Sequence, residues 1–446
     1  MVTAGGIMTI VVTLRLNAAM LIHYYDYHGN PEQQRKYLQS LFSFSLFMAI
    51  GAGLIFAVVG EPIFRFVFKS DAVTFYPYGF IILLYSLLSE VNICYYTYLK
   101  NQKNLKDYIF IVVSQMLMAV LFQFLFIIVL RAGVEGALMG MLLSNVVTIL
   151  MIFLKERDIL TFRPDMKMIK KSLRFSIALI PYLLIYWVLT KGGKIMLERQ
   201  ADLTLVGAFA LMLTLTNIIL FTSVAVVNGI RPFLFELFSD KRESNGVEVD
   251  YYGEKVDLLT KVVISIPLFM IPFIICISCN ISLITSKASY HQIGDYINLA
   301  CLAIFLLVYC RLFYQQMIFA KRSGIVTRLS FIVLIVLIIG FTLWAEDYKV
   351  WGVLAAMTIA NLLMAILFYF QAQKHQPVNY NKWSVFFVPI LFFIMLFGME
   401  WVIIEKMEMS RALFGIVQLL ILVPMIVVAN YNTVGEYRAL FIEEKS

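Results

Sequence analysis

The chain has 446 residues, of which 61% are hydrophobic and only 14% are charged. A soluble domain carries about a quarter charged residues, so this composition excludes an ordinary soluble protein. The formal net charge of +8 has a simple explanation in a membrane protein, which collects Lys and Arg in its cytoplasmic loops. We therefore expect no nucleic-acid partner.

Long apolar stretches follow one another along the chain. Because a helix needs about 20 apolar residues to cross a hydrocarbon core of ~30 Å, the sequence predicts an all-α polytopic membrane protein with about 13 transmembrane helices. In chain order the predicted helices cover residues 3–22, 40–59, 77–97, 108–130, 136–154, 173–190, 204–227, 258–283, 296–317, 325–344, 350–370, 383–404 and 410–430. Several are joined by short loops, so we expect those pairs to pack as antiparallel neighbours.

Lysine and arginine set the predicted orientation. The loops that follow the odd-numbered helices, together with the C-terminal tail, hold 24 of the 36 Lys and Arg, whereas the alternate loops hold 10. By the positive-inside rule, the first set of loops and the C-terminus are cytoplasmic. With thirteen helices the N-terminus would start outside, so we expect the first helix of a fourteen-helix layout to be missing.

Two segments of the sequence resemble each other. VEGALMGMLLSNVVTIL (134–150) aligns with VWGVLAAMTIANLLMAI (350–366) at a constant offset, which pairs Asn145 with Asn361. The two segments are six predicted helices apart, so both cross the membrane in the same direction, as parallel repeats do. The sequence therefore predicts two pseudo-symmetric lobes around a central cavity, followed by two C-terminal helices.

The repeat also predicts the domain boundaries. The expected parts are an N-terminal lobe of five helices (1–154), a basic cytoplasmic linker (155–172), a C-terminal lobe of six helices (173–370), and two additional helices with a cytoplasmic tail (371–446). Matching Lys100 with Lys321 at the lobe ends would place Glu90 opposite Arg311 in the repeat.

Two further stretches have a recognisable order of residues: LRLNAAMLIHYYDYHGNPEQQRKYL (14–38) and SLRFSIALIPYLLIYWVLTKGGKIMLERQADLTLVGAF (172–209). The first resembles the second helix and following loop of bacterial polysaccharide flippases of the multidrug/oligosaccharidyl-lipid/polysaccharide exporter superfamily. The second resembles their seventh helix and the loop into the eighth. In it Pro181, Lys194 and Gly207 stand where that pattern has a proline, a basic residue and a glycine.

The resemblance implies a function. A flippase of this kind moves an undecaprenyl-pyrophosphate-linked oligosaccharide from the cytoplasmic to the outer leaflet of the bacterial inner membrane by alternating access. The expected partners are then the lipid-linked oligosaccharide, membrane lipids and other polysaccharide assembly proteins. The resemblance also places the chain's start at the family's second helix.

Ionisable side chains inside a bilayer are costly, so each is a candidate functional residue. Arg15 lies near the middle of the first predicted helix, and an arginine suits a pyrophosphate because its planar fork makes bidentate contacts with phosphate oxygens. The alternative is a structural pair between Arg15 and Glu90. Glu90, in the third predicted helix, is the expected ion-coupling residue if transport is ion-coupled. Arg311 is a second substrate candidate, and its alternative is to snorkel to the interface.

Four more residues are candidates for binding the substrate. Lys194 could hold the sugar pyrophosphate at the outer end of the sixth helix, or it could belong to a solvated interfacial cluster. Arg231 could lie at the cytoplasmic mouth of the cavity, or it could bind lipid headgroups. Asn145 and Asn361 could line a cavity for sugars, or they could form hydrogen bonds between helices.

Other functional classes remain open from the sequence. We find no phosphate-binding glycine loop, metal-ligand cluster or nucleophile motif, and so expect no catalytic residue, cofactor or metal. A multidrug or cation antiporter of the same superfamily is one alternative. It would share the fold, although the predicted helices contain no Asp that could bind a cation. A polytopic polysaccharide polymerase or ligase is the other alternative, but the predicted outer loops are short.

Overall fold

The computed structural model describes residue 14 and the ranges 16–67, 75–161, 164–200, 203–243, 249–283 and 290–431. The α-helices within these ranges are α1 (Leu16–His23), α2 (Pro31–Val67), α3 (Phe80–Asn101), α4 (Leu105–Phe124), α5 (Gly133–Lys155), α6 (Met166–Ile177), α7 (Ile180–Gln200), α8 (Leu203–Glu243), α9 (Val249–Cys279), α10 (Ile293–Phe319), α11 (Ser323–His375), α12 (Val388–Glu400) and α13 (Arg411–Ala429). π-Helical turns extend α3, α4 and both ends of α12.

The described residues form a polytopic all-α membrane protein, as the sequence predicts. Eleven helical stretches among them are long and apolar enough to cross a membrane. Each predicted helix from 40–59 onward coincides, to within a few residues, with all or part of one of these stretches. The first predicted helix, 3–22, lies mostly outside the described residues, and α1 covers its last part.

The longest helical stretch, α11, is a hairpin of two membrane helices. Lys349 has a φ of 48° and a ψ of −116°, which breaks the helix. A Cβ on Gly340 would lie 2.7 Å from the Cβ of Ala356, although sixteen residues of continuous helix would span about 24 Å. The predicted helices 325–344 and 350–370 are therefore confirmed as antiparallel neighbours, here named α11a (323–348) and α11b (350–375).

The chain divides into two compact units, Met1–Leu184 and Ile185–Ser446. The division falls inside α7, so unit 1 holds α1 to α6 and unit 2 holds α8 to α13. The sequence places its lobe boundary earlier, in the linker 155–172. The predicted lobe boundaries and the predicted central cavity stay predictions.

A three-helix arrangement occurs once in each unit. In unit 1, α3, α4 and α5 are joined by turns with left-handed residues at Lys103 (φ 57°) and Arg131 (φ 55°). In unit 2, α10, α11a and α11b are joined by turns with left-handed residues at Lys321 (φ 58°) and Lys349 (φ 48°). Both pairs of turn residues are separated by 218 positions along the chain. This agreement supports the predicted repeat.

The turns also correct the register of the repeat. Lys321 corresponds to Lys103 rather than to Lys100, so Glu90 corresponds to Val308 and not to Arg311. The loop before α5 is two residues longer than the single-residue turn before α11b. The offset therefore changes from 218 to 216, which is the value that aligns Asn145 with Asn361.

Small residues allow the helices of the repeat to pack closely. A Cβ on Gly140 would lie 2.8 Å from the backbone nitrogen of Gln123, and one on Gly136 would lie 2.9 Å from the Cβ of Phe126. The α4 and α5 backbones therefore approach each other where α5 has no side chain. Small residues at helix contacts allow this kind of close packing in membrane proteins.

Candidate functional site

Glu90 is a buried carboxylate in the middle of α3. It is 4% exposed, and its Oε1 accepts a hydrogen bond from the backbone nitrogen of Asn17 at 3.3 Å. Asn17 lies in the first turn of α1, where backbone N–H groups lack helical partners and the helix dipole favours negative charge. The fold therefore provides a local reason for a carboxylate at this depth. Arg15, the preferred candidate for phosphate binding, lies outside the described residues.

A buried polar network in unit 1 includes Asn92, which follows Glu90 by two residues in α3. The Nδ2 of Asn92 and the Nε2 of Gln115 both donate to the Oδ1 of Asn145, at 2.8 and 2.9 Å. Tyr96 donates its hydroxyl to the Oε1 of Gln115 at 2.7 Å. Asn145 therefore joins α3, α4 and α5 by hydrogen bonds. In this structure it occupies the helix-bridging role that the sequence offers as the alternative to lining a cavity.

Asn361 plays a similar part in unit 2. Its Nδ2 donates to the carbonyl of Ala303 at 3.0 Å, and its own carbonyl accepts from the Sγ of Cys310 at 3.3 Å. Both contacts join α11b to α10. The side chain is 1% exposed, so Asn361 is also engaged between helices.

Arg311 is held by an aromatic residue of α7. Its Nε and Nη2 donate to the hydroxyl of Tyr186 at 3.2 and 2.6 Å, and the guanidinium carbon lies 4.7 Å from the centre of the Tyr186 ring. Hydrogen bonds and a cation–π contact thus fix the guanidinium in place.

The other two candidates lie apart in unit 2. Lys194 is exposed near the end of α7, and Arg231 is half-buried in α8, where Pro232 follows it. Substrate binding by Lys194, Arg231, Arg311, Asn145 and Asn361 stays a prediction.

Sequence reasoning missed an ionic cluster around Arg411. Its Nη1 donates to Glu400 at 2.6 Å and its Nε lies 2.8 Å from a carboxylate oxygen of Asp295. The second oxygen of Glu400 accepts from the Nδ2 of Asn298 at 2.7 Å. The cluster joins the turn between α12 and α13 to the start of α10. Asp295 and Asn298 are more than 100 positions from Glu400 in the chain, so no local spacing could reveal the cluster.

Ion pairs also fix the predicted cytoplasmic linker in unit 1. Asp26 is bonded by the Nδ1 of His23 and by the Nζ of Lys171, each at 2.7 Å. Asp165, which caps the N-terminus of α6, lies 3.0 Å from the Nζ of Lys36. Hydrogen bonds from Lys36 and from the first turn of α6 hold the pKa of Asp165 below its ordinary value. Lys171 of the linker is thus paired with Asp26, and Asp165 of the linker is paired with Lys36.

Comparison with known proteins finds the same fold in MATE transporters. No family model and no curated protein matches the sequence. Among solved structures, an outward-facing multidrug resistance MATE family transporter of the MOP superfamily is similar with a TM-score of 0.68 and 16% identity, over 83% of this chain and 85% of that one. The MATE transporter VcmN from Vibrio cholerae, in its bent form, gives a TM-score of 0.61 and 14% identity, over 83% of this chain and 86% of that one.

A third neighbour is the MATE transporter ClbM in complex with Rb⁺, with a TM-score of 0.62 and 13% identity, over 82% of this chain and 84% of that one. At these identities the likeness shows the fold. The chain therefore has the fold of MATE transporters. The likeness does not single out a polysaccharide flippase.

Proposed function

We propose that the chain is a transporter, not an enzyme, and that it exports an organic cation or drug-like solute by alternating access coupled to an ion. Neighbours of the same fold include a multidrug resistance transporter and a transporter bound to Rb⁺. These neighbours favour this function over the flipping of a lipid-linked oligosaccharide. The three-helix arrangement present in each unit supports it as well, since internal repeats are a common basis of alternating access.

The burial of Glu90 is the observation that supports coupling of transport to an ion. Among the acidic residues, only Glu90 and Glu400 fall within predicted membrane helices. Glu400 is bonded to Arg411 near the end of α12, whereas Glu90 lies buried at the centre of α3. A carboxylate at this depth can bind a proton or a metal cation and release it when the local environment changes.

Flipping of an undecaprenyl-pyrophosphate-linked oligosaccharide is the second candidate function. It is favoured by the two sequence stretches that resemble polysaccharide flippases and by the membrane-embedded guanidinium of Arg311. Arginine is the side chain best suited to bind a phosphate bidentately. For this function Arg15 and Arg311 would contact the pyrophosphate.

Two parallel assays separate the candidates. Cells lacking the gene are tested for loss of efflux of a fluorescent organic cation and for accumulation of glycan lipid on the cytoplasmic leaflet. Loss of efflux without glycan-lipid accumulation is expected. Accumulation with unchanged efflux would reject the cation exporter in favour of the flippase, and no change in either would reject both.

A further inference from the structure

Unit 2 contains an apolar groove of about 790 Å³ between α10, α11b and α12. One stripe from each helix lines it, including Phe305 and Tyr309 of α10, Ile366 of α11b, and Phe386 and Phe393 of α12. None of the 18 lining residues carries a charge. The groove therefore suits a hydrocarbon chain, and it offers no carboxylate to an organic cation.

The polar atoms that line the groove are mostly used inside the protein. Thr358 donates its hydroxyl to the carbonyl of Leu354 at 2.8 Å, and Tyr309 donates its hydroxyl to the carbonyl of Val385. The contacts of α12 with α10 include the Tyr309 bond and the packing of Phe393 against Phe305, whose ring centres are 5.2 Å apart. The aromatic rings hold the helices together and leave the space beside them open.

The length of the groove matches a single acyl chain. Its lining residues on α10 run from Leu302 to Phe313, which corresponds to about 16 Å of helix. This length is close to one leaflet of a hydrocarbon core of ~30 Å.

Two lysines stand at one end of the groove. Lys374 comes four residues after the lining residue Phe370, and Lys382 comes four residues before Phe386. Each therefore continues the lining stripe of its helix by one turn. Both are exposed, and neither has an ion-pair partner within the part of the chain that the structure describes. Trp383, exposed at the same end, is typical of a membrane interface.

We propose that this groove binds an anionic glycerophospholipid, with one acyl chain between α11b and α12 and the phosphate headgroup against Lys374 and Lys382. The lysines lie on the predicted cytoplasmic side, so the lipid comes from the inner leaflet. Basic residues at a membrane surface attract anionic headgroups. The groove lies in unit 2, whereas Glu90 lies in unit 1. Binding of this lipid does not depend on which solute the protein transports.

Native mass spectrometry and thermal unfolding of the full chain in neutral detergent test the site, with phosphatidylglycerol and phosphatidylcholine of the same acyl chains as probes. We expect preferential retention of phosphatidylglycerol and a larger rise in Tm with it. Replacing both Lys374 and Lys382 with Gln should lower phosphatidylglycerol affinity roughly tenfold to thirtyfold, because each lysine contributes to headgroup binding. The matched control replaces Lys167 and Lys170, exposed lysines of α6, with Gln and should keep the preference.

A second variant tests the groove itself. Leu362→Trp places a larger side chain at the half-exposed rim of the groove. It should weaken the binding of both phospholipids, while the protein keeps its cooperative unfolding transition. Equal retention of the two phospholipids, or an unchanged preference in the double lysine variant, would overturn the proposal. Stabilisation by inorganic phosphate alone, or tighter binding of undecaprenyl phosphate than of phosphatidylglycerol, would overturn the assignment of a glycerophospholipid.

Discussion

Asn92 of α3 donates its Nδ2 to the backbone carbonyl of Asn145 in α5 at 3.3 Å, in addition to its bond with the Asn145 side chain. Cys310, 218 residues after Asn92, donates its Sγ to the backbone carbonyl of Asn361 in α11b. Asn92 of α3 and Cys310 of α10 thus occupy equivalent positions of the repeat. Each donates to the backbone carbonyl of the repeat's asparagine in its own unit. The asparagines are paired by the sequence repeat, and the structure gives that pairing a physical role.

Replacing Asn145 with Leu should destabilise unit 1. The substitution removes the common acceptor of Asn92 and Gln115 and leaves the buried Asn92 amide with one fewer partner. We expect the free energy of unfolding to fall by about 1–3 kcal/mol, which thermal unfolding in detergent would measure. Asn379→Leu, at an exposed position, is the control. Equal stability of the Asn145 variant and the wild type would contradict a structural role.

Glu90→Gln should abolish the dependence of transport on a proton or sodium gradient. The amide keeps the size of the side chain and can still accept from the Asn17 nitrogen, but it can neither release a proton nor balance a cation. Transport of a fluorescent cation by proteoliposomes with an imposed gradient measures the effect, and we expect a loss of at least about tenfold.

Two further variants make the Glu90 test specific. Glu90→Asp keeps the carboxylate and should retain part of the coupling, whereas Glu135→Gln at the exposed start of α5 should behave as the wild type. If Glu90→Gln transported with the same gradient dependence as the wild type, Glu90 would have no coupling role.

The sequence predicted the membrane helices well because hydropathy is a local property. The α11 hairpin could also be predicted, since Glu346, Asp347 and Lys349 interrupt an apolar run that would otherwise read as one long helix. The register of the repeat was off by three residues near α10. Sequence matching aligned Lys100 with Lys321, and only the backbone shows that Lys103 adopts the same left-handed conformation as Lys321.

The roles of the polar residues were harder to predict. Asn145 and Arg311 were recognised as unusual within apolar helices, but whether such a side chain faces a cavity or a neighbouring helix depends on tertiary packing. The Arg411 cluster was missed for the same reason, because Asp295, Glu400 and Arg411 meet only after α10, α12 and α13 have packed.

Removing Arg411 should loosen the turn between α12 and α13. Arg411→Gln leaves Glu400 and Asp295 without the cation that separates them, so two carboxylates repel each other. Because Arg411 is 30% exposed and Asp295 45% exposed, we expect a modest loss of about 1–2 kcal/mol in stability. Thermal unfolding of Arg411→Gln, Glu400→Gln and the double variant forms a double-mutant cycle.

The double-mutant cycle has a control variant and an outcome that would contradict the prediction. Glu405→Gln removes an exposed carboxylate of the same turn and should leave the Tm unchanged. A double variant whose loss equals the sum of the two single losses would show that Arg411 and Glu400 do not stabilise each other.

The N-terminus of α6 should depend on pH through Asp165. Bonds from Lys36 and the α6 backbone lower the pKa of this carboxyl in the folded protein, so its contribution is complete above the unfolded value of about 3.9 and is lost as pH falls through the folded pKa. Lys36 and Asp165 are 60% and 25% exposed, so the effect comes mainly from the cap, worth about 1 kcal/mol.

At neutral pH, Asp165→Asn should therefore speed hydrogen exchange of the first α6 amides by up to about fivefold relative to the wild type. That ratio should approach one at a pH below the folded pKa. Asp158→Asn, a control at a carboxylate that is 75% exposed, should leave α6 exchange unchanged, and a ratio that stays constant with pH would rule out control by the Asp165 charge.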